Sequence, residues 1–180
     1  CLRLPIPSPI PGSGRAAVAA RWQGSQARPA NKVRPMSHAA EIIRRLQLQP
    51  HPEGGWYRET WRAPGATAAD RGLGTAIHFL LEPGQRSHWH RVDATELWLF
   101  QAGAPLTLRT ARGARGEAGV VETHLGPDIA AGQALQRVVE PGEWQAAETG
   151  ADWSLVACVV VPAFEFAGFE LAPPGWAPLA

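Results

Sequence analysis

The spacing of hydrophobic and polar positions changes character once along the chain. In "SHAAEIIRRLQLQP" (37–50), Ile42, Ile43, Leu46 and Leu48 fall on one stripe. Ser37 stands where an N-cap belongs, Glu41 in the first turns and Pro50 at the stop, which predicts a short amphipathic helix. Beyond it the pattern alternates with a period of two. Strands are predicted over 56–62, 75–81, 86–92, 96–101, 106–110, 120–125, 135–139, 144–148 and 154–161. Turn segments such as "EPGQ", "QAGAP" and "EPGE" separate them. Many short strands behind one helix predict an antiparallel sandwich or barrel, and 180 residues suffice for one such domain.

The two ends break this pattern. Residues 1–35 hold six prolines, Lys32, five arginines and no acid, and they show no hydrophobic period. They read as a disordered upstream extension, with Met36, the only methionine, as the expected natural start. Residues 36–172 read as a single domain, and the proline-rich 173–180 as a loose tail.

Composition narrows the functions. From residue 36 onward, 11 arginines face 16 acids, so nucleic acid is not an expected partner. No apolar run reaches the ~20 residues of a membrane helix, and no membrane partner is expected. Lysine and asparagine are absent from this part, which removes Schiff-base chemistry and a Walker-type phosphate loop. The two cysteines are Cys1 and Cys158. Cys158 sits in an apolar run and reads as a small buried hydrophobe. The pair excludes a disulfide framework, as in a protein of the reducing cytoplasm.

Candidate chemistry centres on "SHWHRVDATELW" (87–98). Strand alternation sends His88 and His90 to one face and Trp89 to the other. If Glu96 on the next strand also faces inward, two histidines and a carboxylate converge. That set suits Fe, Mn, Ni or Zn. The competing reading is an edge-strand decoration in which Glu96 pairs with an arginine. Further on, Glu96, Trp98 and Phe100 share a face, as do His78, Ala76 and Leu80. A polar residue among aromatic or small ones on one strand face is what a barrel pocket looks like. Trp98 and Trp144 are candidates for a stacking wall, and Arg109 for an anion contact. Of Gln136 and Arg137, which lie on opposite faces, one points inward; Gln136 is taken as the candidate.

Two blocks, "GQRSHWHRVDATELWLFQAG" and "QRVVEPGEWQAAE", resemble the two motifs of the cupin superfamily. The gap from His90 to Glu96 is one residue longer than usual, and Gln145 stands where the second motif has histidine. "LQLQPHPEGGWYRETWRAP" is similar to the opening signature of the HPEGG-type cupins, domain of unknown function 985, within the RmlC-like group. Later blocks match too, and the resemblance spans about residues 40–172. It implies an all-β double-stranded β-helix (cupin jelly roll) with a short N-terminal helix, usually homodimeric, in the group of dTDP-sugar epimerases and germin-like proteins. It brings no settled activity. Members generally keep the equivalents of His90, Glu96 and Trp98, often lack a histidine at 88, and often carry one at the place of Leu99. The segment "HPEGGWYRE" would put His51, Glu53 and Tyr57 at the pocket edge.

Three functions remain open. A sugar or small-metabolite isomerase or epimerase would use His90 or His78 as base, with Glu96 tuning it and Tyr57 as the available phenol. A metal-dependent dioxygenase or lyase would use His88, His90, Glu96 and Gln145 around one divalent ion. A non-catalytic module would capture a small ligand in the barrel with the same residues fixing its orientation. Trp98, Gln136, Trp144, Gln145, Glu53 and Arg109 are the candidate ligand contacts.

Overall fold

The helix α1 (His38–Leu46) begins as its sequence predicts: the Ser37 side chain accepts a hydrogen bond from the Ala40 N–H at 3.2 Å. Such a cap is worth about 1 kcal/mol. The helix stops before Pro50 because Gln47 takes a left-handed conformation and returns its N–H to the last carbonyls. Its apolar stripe, with Ala39 at the centre, packs on Leu48, Leu80 and Trp153.

Eleven strands follow in this computed structural model, which describes residues 37–67 and 70–179. The first sheet contains β1 (Gln49–Pro50), β2 (Trp56–Ala63), β3 (Gly74–Leu81), β5 (Thr95–Gly103), β8 (Gln136–Val139) and β10 (Ser154–Val161). The second contains β4 (Arg86–Val92), β6 (Leu106–Ala111), β7 (Val120–Leu125), β9 (Trp144–Thr149) and β11 (Phe169–Leu171). Strand order is β1-β2-β3-β10-β5-β8 in one and β11-β4-β9-β6-β7 in the other, and neighbouring strands are antiparallel. Consecutive strands thus repeatedly change sheet, which is the jelly-roll path expected from the sequence. No helix among the described residues is long and apolar enough to cross a membrane.

The inner faces supply the core: Phe79, Trp98, Leu106, Leu108, Leu125 and Val156 are almost wholly buried between the sheets. Phe79 meets Trp98 edge-on at 5.8 Å, an arrangement worth about 1 kcal/mol beyond burial. Along β10, Val156, Cys158 and Val160 point inward while Leu155, Ala157 and Val159 are half-buried on the other side. This alternation brings Cys158 to the same interior as Glu96.

Two departures from the sequence reading matter. First, the strand carrying the two histidines is bulged. Ser87 pairs with Ala147 and His90 with Gln145, so two residues of β4 stand opposite one of β9. The extra residue breaks the alternation: Ser87 and His90 are buried inward, while His88 lies only half-buried, with Nε2 3.4 Å from the Pro173 carbonyl oxygen. Second, the proline-rich end, expected to hang loose, is laid against the outer face of the second sheet over the residues described. Trp176 packs on Trp144 at 4.3 Å and on Trp89 at 5.9 Å, and Ala172 is buried beside them. The expected extension over residues 1–35 lies outside the described residues.

Candidate functional site

One cavity of about 360 Å³ opens between the sheets. Its polar floor is built from four segments. The loop 51–55 supplies His51 and Glu53, β4 supplies His90, β5 supplies Glu96 and β10 supplies Cys158. Its walls are Ile77, Phe79, Val92 and Val160. Phe164, Phe166 and Phe169, from the segment just before and at the start of β11, close one side, packed edge-on at 5.1–6.2 Å.

The loop is held by its own backbone. His51 N–H donates to the Gly55 carbonyl, Gly54 N–H to the His51 carbonyl, and His88 N–H to the Glu53 carbonyl at 2.8 Å. Gly54 and Gly55 have φ of 106° and 73°, in the region that glycine enters without strain. A side chain on Gly54 would run into the Arg86 carbonyl oxygen. The paired glycines of "HPEGG" therefore aim Glu53 into the barrel.

Glu53 is the hub. Ser87 Oγ donates to its Oε1 at 2.8 Å, and its Oε2 stands 3.3 Å from both His51 Nδ1 and His90 Nε2. Burial pushes this carboxyl up, but His90, His51 and Ser87 together outweigh burial and hold it below the usual range. His90 Nδ1 is 2.8 Å from the His88 carbonyl oxygen, which can only accept, so that nitrogen carries a hydrogen.

Glu96 is the opposite case. Burial raises its pKa; the charge of Glu53 adds to the rise, and His90, the Gln145 amide and the Cys158 thiol only partly offset it. Gln145 Nε2 donates to Glu96 Oε2 at 2.6 Å, while Trp98 Nε1 donates to Gln145 Oε1 at 2.8 Å. The indole N–H fixes the orientation of the amide. Cys158, beside Glu96, has its thiol pushed well up by burial and by the two carboxylates, so it is no ready thiolate.

The expected candidates sort accordingly. The structure brings His90, Glu96, Glu53 and Tyr57 to one cavity. Trp98 and Gln145 stand behind it and do not line it. His78 does not reach the cavity: the alternation of β3 was read correctly but with the wrong face inward, and Ile77 and Phe79 line the cavity instead. Trp144 lies on the outer face, against Trp176 and under the Arg91 guanidinium. Arg109 is also outside, bound to Glu122 and Glu148. Gln136 is exposed next to Leu99, and Arg137 is the inward member of that pair. His51 lines the cavity as the family resemblance implied, whereas Ser87 and Cys158 were missed as polar groups of the floor. The period-two pattern of β10 was the signal for Cys158; the bulge hid Ser87.

The four-residue metal reading does not fit this donor set. His88 is turned away, both ends of the Gln145 amide are engaged, and both nitrogens of His90 have partners. Among the described residues no three His, Cys, Asp or Glu side chains are grouped to hold an ion.

A six-stranded and a five-stranded sheet enclosing a polar-floored cavity, with the sequence motifs on adjacent strands, define a cupin double-stranded β-helix. More narrowly, the chain belongs to the family described as Cupin superfamily (DUF985), whose model matches residues 40–172. A solved protein from Shewanella oneidensis is similar at 39% identity and a TM-score of 0.69, covering 76% of this chain and 85% of that one. A hypothetical protein from Leishmania major is similar at 32% identity and a TM-score of 0.67, covering 76% and 89%. Oxalate decarboxylase of Bacillus subtilis shares the fold at 10% identity and a TM-score of 0.52, over 68% of this chain and 29% of that one. No curated protein sequence matches the chain.

Proposed function

We propose that the cavity is a proton-transfer site acting on a small carbonyl metabolite, the chemistry of an isomerase or epimerase. One observation carries this reading: two buried carboxyls line the same cavity as His90, and their surroundings push them in opposite directions. Such divergence is how one site holds an acid and a base at one pH. The His90–Glu53 pair takes the proton from the carbon next to the carbonyl. Glu96, whose pKa burial raises, gives its proton to the carbonyl oxygen as the enediol forms. A proton delivered to the opposite face of the same carbon gives the epimer, and one delivered to the neighbouring carbon gives the isomer; in both cases Glu96 regains its proton from an enediol hydroxyl, with no redox partner needed. The apolar walls exclude water and strengthen both carboxyl interactions. Tyr57, whose ring meets His51 edge-on at 4.6 Å, is a second hydroxyl on the cavity wall for a hydroxylated substrate.

The test is deuterium incorporation from D₂O into keto-sugars and small hydroxy-ketones. Exchange with at least one of them, reduced about 10²–10⁴-fold in Glu96→Gln and His90→Ala, is the expected result. Saturable binding of these compounds without exchange would instead identify a non-catalytic binding protein.

A further inference from the structure

We infer that the barrel holds a second site, one that accepts an oxyanion, at Arg137, Thr110 and Arg112. A separate cavity of about 290 Å³ is lined by these residues together with Glu143. Three buried side-chain polar atoms among the described residues lack a hydrogen-bond partner, and two of them, Thr110 Oγ1 and Arg137 Nε, belong to residues of this cavity.

Strand register explains why they meet. Thr110 is paired with Gln145 across β6 and β9, and Arg137 with Trp98 across β5 and β8. Residues directly opposite on antiparallel strands share a face, so both point into the barrel. They come together beside the Trp98–Gln145 hydrogen bond, whose continuation runs to Glu96 and the first cavity.

The charges are unbalanced in favour of an anion. Arg137 enters no ion pair among the described residues. Glu143 is already engaged: its Oε2 accepts from the Glu140 N–H at 3.1 Å, and its Oε1 stands 3.6 Å from Arg112 Nε. Two guanidiniums against one carboxylate leave one positive charge. Thr110 is 1% exposed, and its hydroxyl has a hydrogen and no acceptor. A half-buried guanidinium and a buried hydroxyl without partners are costly arrangements, and an oxyanion relieves both. The fork of a guanidinium matches the paired oxygens of a carboxylate or a phosphate. The ligand is therefore a small anion with a carboxylate or phosphate head. The inference does not depend on the proton-transfer reading of the first cavity.

The test uses the full chain, with inorganic phosphate and acetate as probes at an ionic strength held constant with chloride. Either probe should raise Tm saturably above the chloride control, and the tighter of the two identifies the head group. Arg137→Gln should bind about tenfold more weakly or worse, and Thr110→Val more weakly than wild type. In chloride alone, Arg137→Gln should be at least as stable as wild type. The inference is overturned if neither anion acts beyond chloride, or if both variants respond as wild type does. Should Arg137→Gln fail to fold, an unchanged response of Thr110→Val overturns it.

Discussion

His90 Nε2 stands 3.3 Å from Glu53 Oε2, joining a β4 side chain to a loop residue 37 positions earlier in the chain. The loop is pinned by two glycines and the strand by a bulge, so this contact is the product of two local backbone devices rather than of a single motif.

Glu53 makes acid stability depend on this contact. Its folded pKa lies below the ordinary carboxylate value. Its contribution is therefore present above that ordinary value and is lost as pH falls through the lowered one. Urea midpoints across the acidic range should fall less steeply for Glu53→Gln than for wild type. At neutral pH the variant should be less stable by roughly 1–3 kcal/mol, because the charge is lost and one of the two oxygens facing Ser87, His51 and His90 becomes an amide nitrogen that cannot accept. Parallel acid profiles would contradict the ion-pair account.

Glu96 should show the reverse. Its folded pKa is raised, so its contribution is complete below the ordinary carboxylate value and is lost as pH rises through the raised one. Glu96→Gln keeps an acceptor for Gln145 and carries no charge. It should gain stability relative to wild type as pH rises from acid to neutral. Infrared spectra should show a protonated-acid carbonyl band that is lost in the variant. A wild type without that band at mildly acidic pH would remove Glu96 as the proton donor.

Gly54→Ala should destabilise the fold by roughly 1–3 kcal/mol in chemical denaturation, since its φ of 106° and the nearby Arg86 carbonyl both exclude a side chain. Gly84→Ala is a control: its φ of 74° brings backbone strain, but no atom stands within 4 Å of the added carbon. The alanine at 54 should cost more than the alanine at 84. Equal losses would mean that the contact with β4 is unimportant.

Metal removal should leave the protein unchanged. With His88 turned away and Gln145 spent on Trp98 and Glu96, prolonged dialysis against EDTA should not lower Tm. Added Fe, Mn, Ni or Zn should bind weakly or not at all. A stoichiometric metal recovered from protein purified without chelator would overturn this.

Much of the fold was legible because strand alternation and glycine-proline turns are local signals. The bounds of β4, β7 and β10 agree with the sequence reading residue for residue. The short β1 and β11 escaped it, since two or three residues carry no measurable period and gain their pairing only from β2 and β4. The site was legible where face did not have to be guessed. Glu96 and His90 were found through alternation and motif together. His78 and His88 failed for different reasons: alternation defines two faces without saying which is inside, and a bulge shifts one face onto the other. Gln136 was taken over Arg137 for the same reason as His78: alternation put them on opposite faces, and in β8 the inner face is that of Arg137 and Val139.

The indole of Trp98 has a hydrogen to give and no lone pair in the ring plane to receive one. The run from Trp98 through Gln145 to Glu96 is therefore one-way, each group giving toward the cavity. Its last acceptor is Oε2, so the hydrogen of a neutral Glu96 belongs on Oε1. An aromatic residue that does not line the cavity thus makes the two oxygens of one carboxyl unequal.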